Sequence, residues 1–223
     1  MQAERLTDAI HARVMSGELP AGAWLRQSRL ATEFDVSRTP IREALQTLSE
    51  RGVVELHPHR GARVRVPTLR EIHEAYFVRA ELEGIAAALA ADLASQEQVD
   101  RLKAAEQLFE EAVASFQVDG DTDDATRRTW QSANDAFHEV IHEASHNDVL
   151  RETLAGLHRR FPRNLTWGVL DDARLLKDNV AQHRRIREAI EARYGEGART
   201  LMRDHVQRSG DLVASRLPDL AAS

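Results

Sequence analysis

The sequence predicts a mainly α-helical protein with two parts, an N-terminal winged helix-turn-helix carrying a small β-hairpin wing and a C-terminal all-α six-helix bundle. Three observations support this prediction. Three amphipathic segments and two short strand patterns follow one another within residues 1–67, a helix start signal comes directly after them, and no strand signal appears from there to Leu217. The 223 residues are enough for two modest domains. We place these domains at 1–67 and 68–217, with 218–223 as a tail.

Three helices are expected in the head, each with apolar residues at helical spacing on one face. The first ends near Gly17, a turn at 20–22 leads to a short second helix, and the third ends near Gly52, since glycine commonly follows a helix end. Ser37 should cap the third helix with its hydroxyl. The three apolar faces comprise Leu6, Ile10 and Val14; Leu30, Ala31 and Phe34; and Ile41, Leu45 and Leu48.

The third helix has the side chains of a DNA recognition helix. Arg38 and Arg42 lie one turn apart near its N-terminal end, with Thr39 beside them. A guanidinium can pair with both O6 and N7 of guanine, and the N-terminal residues of a recognition helix reach base edges in the major groove. An isolated arginine pair at this spacing is more often a solvated face. Its position inside a helix-turn-helix favours the DNA-contact hypothesis.

A β-hairpin is expected directly after these helices. Residues 53–56 read as one strand and 57–61 as its turn, and residues 62–66 alternate strictly, so that the arginines share one face and the valines the other. At the tip, Arg60 and Gly61 can approach a phosphate or the minor groove, since glycine lets the backbone come close. Three helices followed by such a hairpin make a winged helix.

Charge is unevenly distributed between the two predicted parts. Residues 1–67 contain ten arginines and eight acidic residues, a balance of +2, whereas the remainder has 20 basic and 28 acidic residues, a balance of −8. This distribution suits local DNA contact rather than extensive coating of phosphates.

The absence of cysteine excludes disulfides and thiolate chemistry, and no signal-peptide core or membrane-spanning apolar run is found. We therefore expect an intracellular, cytoplasmic protein without membrane partners.

Six helices are expected after a boundary near Pro67. Thr68 and Glu71 form a capping box, in which two side chains satisfy unpaired N–H groups at a helix start. The helices are placed near 71–93, 96–116, 123–145, 147–168, 171–192 and 196–216. A loop is expected at Asp119–Asp121, and Pro162 should kink or break the fourth of these helices. Helices of this number and length form an all-α bundle.

The head resembles the DNA-binding domain of GntR-family regulators in the order and spacing of its motifs. The resemblance rests on Leu19–Gly22, Leu30-Ala31, Val36–Leu45, Leu48, Gly52–Val54 and Arg60-Gly61. It implies DNA-contact positions at Ser37, Arg38, Thr39, Arg42 and Gly61. Members of the family often have an acidic–basic pair just before the Leu-Ala of the second helix. This chain has Gln27-Ser28 there, which puts a phosphate contact at that place in doubt.

Histidines suggest a second site, inside the bundle. Asn134 and His138 lie one turn apart on one predicted helix, and His183 and His205 lie on two others. Each can take an inward-facing position, and three converging imidazoles are good ligands for a divalent transition metal such as zinc. Spacing alone does not decide the matter, because a single helical histidine is more often a hydrogen-bonded polar residue.

The same region resembles the FCD effector domain of the FadR-like GntR branch, in its smaller VanR-like form. The resemblance rests on Arg79–Glu83, on Phe137-His138 and on the two later histidines. It implies a metal, bound by three histidines and an acid four residues before the first of them, that helps to hold a carboxylate effector. Because Asn134 replaces that acid, the expected fourth ligand is Asn134 itself, Asp135 or water.

Arg79 resembles a pocket arginine that pairs with an organic acid, and an ion pair with Glu83 is its alternative role.

The expected function is therefore a sequence-specific transcription regulator, a repressor, whose operator binding is controlled by a small organic-acid metabolite in a metal-containing helical pocket. A homodimer on a palindromic operator is expected, because one winged helix contacts few base pairs and symmetric half-sites multiply the affinity. The resembling family also dimerises through its all-α domain.

Two other classes of function stay open. The run from His138 through Glu139 to His142 matches the H-E-x-x-H pattern, in which two histidines hold zinc and the glutamate is the general base of a metalloprotease. A protease also needs a third ligand and an edge strand for its substrate, and it would leave the winged helix without a role. We rank this enzyme alternative behind a non-enzymatic regulator. The third class is a ligand-binding module whose DNA-binding head is vestigial.

Overall fold

The computed structural model describes residues 2–58, 60–115, 124–158, 165 and 173–222. Contacts within the chain define two compact units. Residues 2–69, 165 and 215–222 belong to the first unit, and residues 70–158 and 173–214 belong to the second. Among the described residues, no helix is long and apolar enough to cross a membrane.

The first unit contains the predicted three helices and wing. Its helices are α1 (Gln2–Met15), α2 (Gln27–Glu33) and α3 (Arg38–Glu50), and its strands are β1 (Trp24–Leu25), β2 (Val54–His57) and β3 (Gly61–Val64). Their apolar faces form a single core from Leu6, Ile10, Val14, Leu25, Leu30, Ala31, Ile41, Ala44, Leu45, Leu48, Val54, Ala62 and Val64. The winged helix-turn-helix expected from the sequence is confirmed.

The recognition helix begins where predicted but without the predicted cap. Ser37 occupies the N-cap position with extended backbone (φ −70°, ψ 165°), yet its hydroxyl makes no capping hydrogen bond. The turn before the helix contains Asp35 at φ 51°, a left-handed conformation that aspartate tolerates. The helix ends at Glu50, and Gly52 follows at φ 70° as the sequence predicted.

The sheet has one strand more than the sequence predicted. Its order is β1-β3-β2, all antiparallel, with Leu25 and Leu56 both opposite Ala62. The alternation predicted for β3 is confirmed, since Ala62 and Val64 are buried while Arg63 is only half-buried. The Nε of Arg63 donates to the carbonyl of Gly22 at 2.7 Å. This contact fixes the turn before β1 against the central strand.

Gly61 is required by the sheet itself. Its φ is +102°, and a Cβ atom at this position would lie 2.5 Å from the carbonyl oxygen of Leu25. The sequence suggested that this glycine serves close approach to DNA. The structure gives it a second reason, because β1 can lie beside the wing only where the wing has no side chain.

In the part of the chain that the structure describes, six α-helices follow the head, as predicted. They are α4 (Leu69–Leu93), α5 (Gln96–Ala114), α6 (Asp124–Ala144), α7 (Asp148–His158), α8 (Ala173–Glu191) and α9 (Gly195–Ala222). The last helix continues beyond its expected end near residue 216. Pro162, the loop at 119–121 and His59 in the wing turn lie outside the described residues.

Helix α5 holds α6 and α8 in place within the second unit. An apolar cluster joins the three helices through Phe109, Ala112, Trp130, Ala133 and Leu176. The carboxylate of Glu106 on α5 adds ion pairs to Arg184 (3.3 Å) and Arg187 (2.6 Å) of α8. The two helices that carry His138 and His183 therefore share one rigid support.

Gly61→Ala should destabilise the head more than Gly52→Ala does. Both glycines have positive φ, but a Cβ at Gly52 would meet nothing within 4 Å. We expect Gly52→Ala to lower the free energy of unfolding by about 1 kcal/mol, and Gly61→Ala by about 2–3 kcal/mol, because a clash is added to the backbone strain. Urea unfolding followed by circular dichroism measures both values. Equal losses would show that β1 does not constrain the wing.

Candidate DNA interface and metal centre

The recognition helix presents its predicted contact residues to solvent. Ile41, Ala44, Leu45 and Leu48 are buried on one side of α3 and fix which side faces outward. On that outward side, every predicted contact residue is exposed, namely Ser37, Arg38, Thr39 and Arg42. Burial of Arg38 and Arg42 would have excluded contact with a DNA groove. Both side chains are instead accessible.

Recognition helix and wing line one groove of about 940 Å³. Arg38 and Arg42 from α3 and Arg60 and Gly61 from the wing tip all contribute to it. The full lining is Trp24, Arg26, Gln27, Ser28, Arg38, Arg42, Gln46, Leu56, His57, Pro58, Arg60 and Gly61. Four guanidinium groups and no carboxylate belong to this set of described residues, so the groove attracts a polyanion.

Sequence reasoning missed several residues of this groove. Gln46 lies one turn beyond Arg42, and extending the stripe by four residues would have found it. Trp24 and Arg26 come from the short β1 region, where two strand residues give no alternation to detect. Trp24 is 42% exposed, and its ring meets that of His57 edge-on at 4.9 Å. Gln27 and Ser28, where a phosphate contact was in doubt, also line the groove.

Three of the predicted metal ligands converge inside the second unit. His138 from α6, His183 from α8 and His205 from α9 are all buried, and each offers a ligand atom within 4.8 Å of those of the other two. Ring centroids are 4.9 Å apart for His183 and His205 and 5.5 Å apart for His138 and His205. Side chains on three helices, distant in sequence, therefore form one imidazole cluster.

His183 is the member of this cluster with unused hydrogen-bonding capacity. Its side chain is fully buried, and neither Nδ1 nor Nε2 has a hydrogen-bond partner among the described residues. The ring stacks on Phe137 at 4.1 Å and lies 4.4 Å from Phe109. An unpaired buried polar group costs about 1–3 kcal/mol, and a metal ion bonded to one of the two ring nitrogens would remove this cost for that atom. The donor set therefore fits a metal.

Burial keeps two of the imidazoles neutral. Desolvation, with the repulsion of His205 and His138, lowers the pKa of His183 well below its usual value. Desolvation and the repulsion of His138 lower the pKa of His205 to about 3. Neutral imidazole is the form that binds a metal. The cluster is thus ready to accept a cation at neutral pH without first losing protons from these two rings.

A buried carboxylate lies beside the imidazoles. Glu83 on α4 is fully buried, and its Oε2 is 3.2 Å from Nδ1 of His138 and 2.8 Å from Nε2 of His142. Its Oε1 accepts from Nε of Arg79 at 3.2 Å. Burial by itself would raise the pKa of Glu83, but the attraction of and hydrogen bonds from the two histidines hold it well below its usual range. Glu83 is therefore an anion.

The structure does not single out a fourth metal ligand or an effector contact. Asn134 and Asp135 are both half-buried on α6, Asn134 one turn before His138. Either one as the fourth ligand stays a prediction. Arg79 makes the ion pair with Glu83 that was its alternative role, and its effector contact stays a prediction as well.

The H-E-x-x-H run has a candidate third ligand, because Glu83, His138 and His142 offer ligand atoms within 4.8 Å of one another. Both of its histidines point a ring nitrogen at the carboxylate of Glu83. Glu139, the expected general base, is half exposed and lies 3.7 Å from Nδ1 of His142. Among the described residues, the only strands belong to the first unit, so the second unit shows no edge strand to hold a peptide substrate.

Comparison with known proteins gives two family matches. Residues 2–64 match the model described as "Bacterial regulatory proteins, gntR family", and residues 74–208 match the model of the FCD domain. The two matches correspond to the winged helix and to the helical region with the imidazole cluster. The resemblance noted in the sequence is confirmed.

Individual relatives agree with these matches. A "Probable D-xylose utilization operon transcriptional repressor" of Paenarthrobacter nicotinovorans is 31% identical over 92% of this chain and 85% of its own length. The "HTH-type transcriptional repressor RspR" of Escherichia coli is 23% identical over 86% and 80%. Among solved structures, E. coli McbR/YncC superposes with a TM-score of 0.70 over 97% of this chain and 98% of its own, at 21% identity. That last likeness establishes the fold.

His183→Leu should leave the metal-free protein as stable as wild type or more stable. The substitution removes two unpaired buried nitrogens and keeps an apolar side chain between the phenylalanines, so we expect a gain of up to about 1–2 kcal/mol. Phe137→Leu is the control and should lose about 1–3 kcal/mol by leaving a cavity. Chemical unfolding in the presence of a chelator measures both. Equal losses would mean that the imidazole of His183 is satisfied within the fold.

Proposed function

Since the chain belongs to the GntR family of bacterial regulatory proteins and carries an FCD domain, we propose that it is a cytoplasmic repressor that binds a palindromic operator as a homodimer. We further propose that a small organic acid, held in a metal-containing pocket of the FCD domain, controls this binding. The family accounts for transcription regulation through DNA. The operator, the dimer, the metal and the effector are proposals that the following observations support.

The single observation that carries the DNA-binding proposal is the arginine-lined groove of the head. Arg38 and Arg42 are exposed at the N-terminal end of α3, where a recognition helix meets base edges. Arg60 at the wing tip lines the same groove from the other side. Base contacts by the first two supply specificity, and a phosphate or minor-groove contact by the third supplies register and affinity.

A dimer follows from the size of this head. One helix and one wing reach only a few base pairs, whereas two heads on half-sites about one helical turn apart combine their affinities. A relative named as a repressor of a utilisation operon supports a repressor of catabolic genes. The effector must bind the DNA-competent and DNA-incompetent arrangements unequally, because equal binding shifts no equilibrium.

The proposed metal site consists of His138, His183 and His205, with Asn134, Asp135 or water as the fourth ligand. Three imidazoles with an open position suit Zn²⁺ and related divalent ions. When bound, such an ion offers a Lewis-acidic site for a carboxylate oxygen. The unpaired nitrogens of His183 are the observation that supports the metal.

Arg79 supports an acidic effector. Its ion pair with Glu83 uses Nε, and a guanidinium carries further N–H donors that can pair with a carboxylate. The side chain is 16% exposed, so it reaches the boundary between the buried cluster and solvent. A cation and a guanidinium in one pocket select an organic acid over a neutral metabolite.

Arg38→Ala and Arg42→Ala should each weaken specific DNA binding by about 1–3 kcal/mol, the value of a bidentate arginine–guanine pair. The measurement is fluorescence anisotropy with a duplex that the wild-type protein has selected from a randomised library. Arg51→Ala is the matched control, because Arg51 is exposed at the other end of the same helix. Unchanged affinity in both variants would remove the recognition-helix assignment.

His183→Ala should lose bound metal and the response to effector while retaining DNA binding. Elemental analysis of purified protein gives the metal content, and thermal shifts with a panel of small carboxylic acids give the effector response. His73→Ala is the control, since His73 is exposed on α4. Equal metal content in His183→Ala and wild type would refute the metal site.

A further inference from the structure

The buried carboxylate of Glu83 has a role beyond pairing with Arg79. We propose that Glu83 is a positioning residue for the metal: by accepting a hydrogen bond from Nδ1 of His138, it turns Nε2 of this ring toward the ion. The inference rests on the metal site proposed above. It assigns a function to a side chain that does not itself ligate the ion.

The direction of the hydrogen bond determines which ring nitrogen can ligate. An ionised carboxylate only accepts hydrogen bonds, so His138 must donate Nδ1–H across the 3.2 Å contact to Glu83. Nε2 is then the nitrogen of this ring that can ligate an ion. A carboxylate behind a ligating histidine fixes its tautomer and orientation and increases its basicity.

A second ligand is held in the same way. Nδ1 of His205 lies 2.9 Å from Oε1 of Gln182. Because the amide oxygen accepts, this ring also donates Nδ1–H and keeps its lone pair on Nε2. Two rings of the three-histidine cluster thus present the same nitrogen, each set by a side chain from outside the cluster, and His183 has both nitrogens unpaired.

Charge makes Glu83 the more important of the two positioning residues. Three imidazoles contain no anion, so a divalent ion bound by them alone would retain its full charge. Glu83 is a fully buried anion in contact with one of the ligands. Attraction between opposite charges is strong in a buried site, so the carboxylate stabilises the bound cation through His138. Gln182 orients its ring but contributes no net charge.

In a competing arrangement, the carboxylate of Glu83 would bind the ion directly. Glu83, His138 and His142 also form a group whose ligand atoms lie within 4.8 Å of one another. If these residues bound the ion directly, His142 would be a ligand and His183 would not. In our proposal, His142 is a second hydrogen-bond donor to Glu83, at 2.8 Å, and the ion does not require it.

Glu83→Gln in the full-length protein is the principal test. The substitution keeps the shape and removes the charge, and we expect Zn²⁺ binding about 10–100-fold weaker than in wild type, measured by competition with a chromophoric chelator. The saturating stoichiometry should remain that of wild type, and the d–d absorption bands of bound Co²⁺ should shift. Glu81→Gln is the matched control: Glu81 lies two residues away on α4, is 38% exposed and pairs at 3.6 Å with Arg199. It should bind Zn²⁺ as wild type does.

Two further variants keep the test decisive if Glu83→Gln fails to fold. Gln182→Leu, at a half-buried position, should weaken Zn²⁺ binding about tenfold by releasing the ring of His205. His142→Ala should retain the metal that His183→Ala loses. Wild-type affinity in the folded positioning variants, or metal loss in His142→Ala equal to that in His183→Ala, would overturn the inference. Failure of the wild-type protein to bind Zn²⁺ would instead refute the proposed metal site.

Discussion

A single buried carboxylate organises the site in the second unit. Glu83 on α4 receives two imidazoles from α6 on one oxygen and a guanidinium from its own helix on the other. An ionised group with no exposure is tolerated only while such partners stay in place. The register of α4 against α6 is therefore constrained. A displacement of His138 would also disturb the contact of Arg79, because both side chains bind the same carboxylate.

The energies involved bear on the regulation proposed above. Coupling between an effector and a second site is commonly worth about 1–3 kcal/mol. One bidentate arginine–guanine contact is also worth about 1–3 kcal/mol. An effector therefore does not have to remove a head from DNA. In the proposed regulation, the loss of one contact of Arg38 or Arg42 would have the same magnitude as such a coupling.

Local pattern explains which parts of the structure could be predicted from sequence. The recognition helix was predicted because Ile41, Leu45 and Leu48 repeat at helical spacing and Gly52 marks its end, and both signals lie within one short stretch. β1 was missed because two residues have no periodicity, and its existence depends on a glycine 36 positions beyond Leu25, at Gly61. Ser37 occupies the N-cap position, but the capping hydrogen bond expected from it is absent. Residue type indicates where a helix begins better than it indicates which hydrogen bonds form there.

Local sequence patterns predicted even less of the buried site in the second unit. The convergence of His138, His183 and His205 was suggested by residue type and family resemblance. The contact of His138 with Glu83 joins residues 55 positions apart, and no local signal indicates it. His142 was conspicuous only as part of an enzyme motif. Its partner in the structure is the carboxylate of Glu83, which gives this histidine a structural role that the motif does not describe.

The three-stranded sheet of the head bears on how copies of the protein meet. Its central strand, β3, is paired on both sides, and its outer strands have only two and four residues. Short outer strands give another chain little unpaired backbone to join, which is how natural sheets avoid growing into aggregates. Within the described part of the head, this sheet is therefore a poor template for self-association. The proposed homodimer would then form through surfaces other than this sheet.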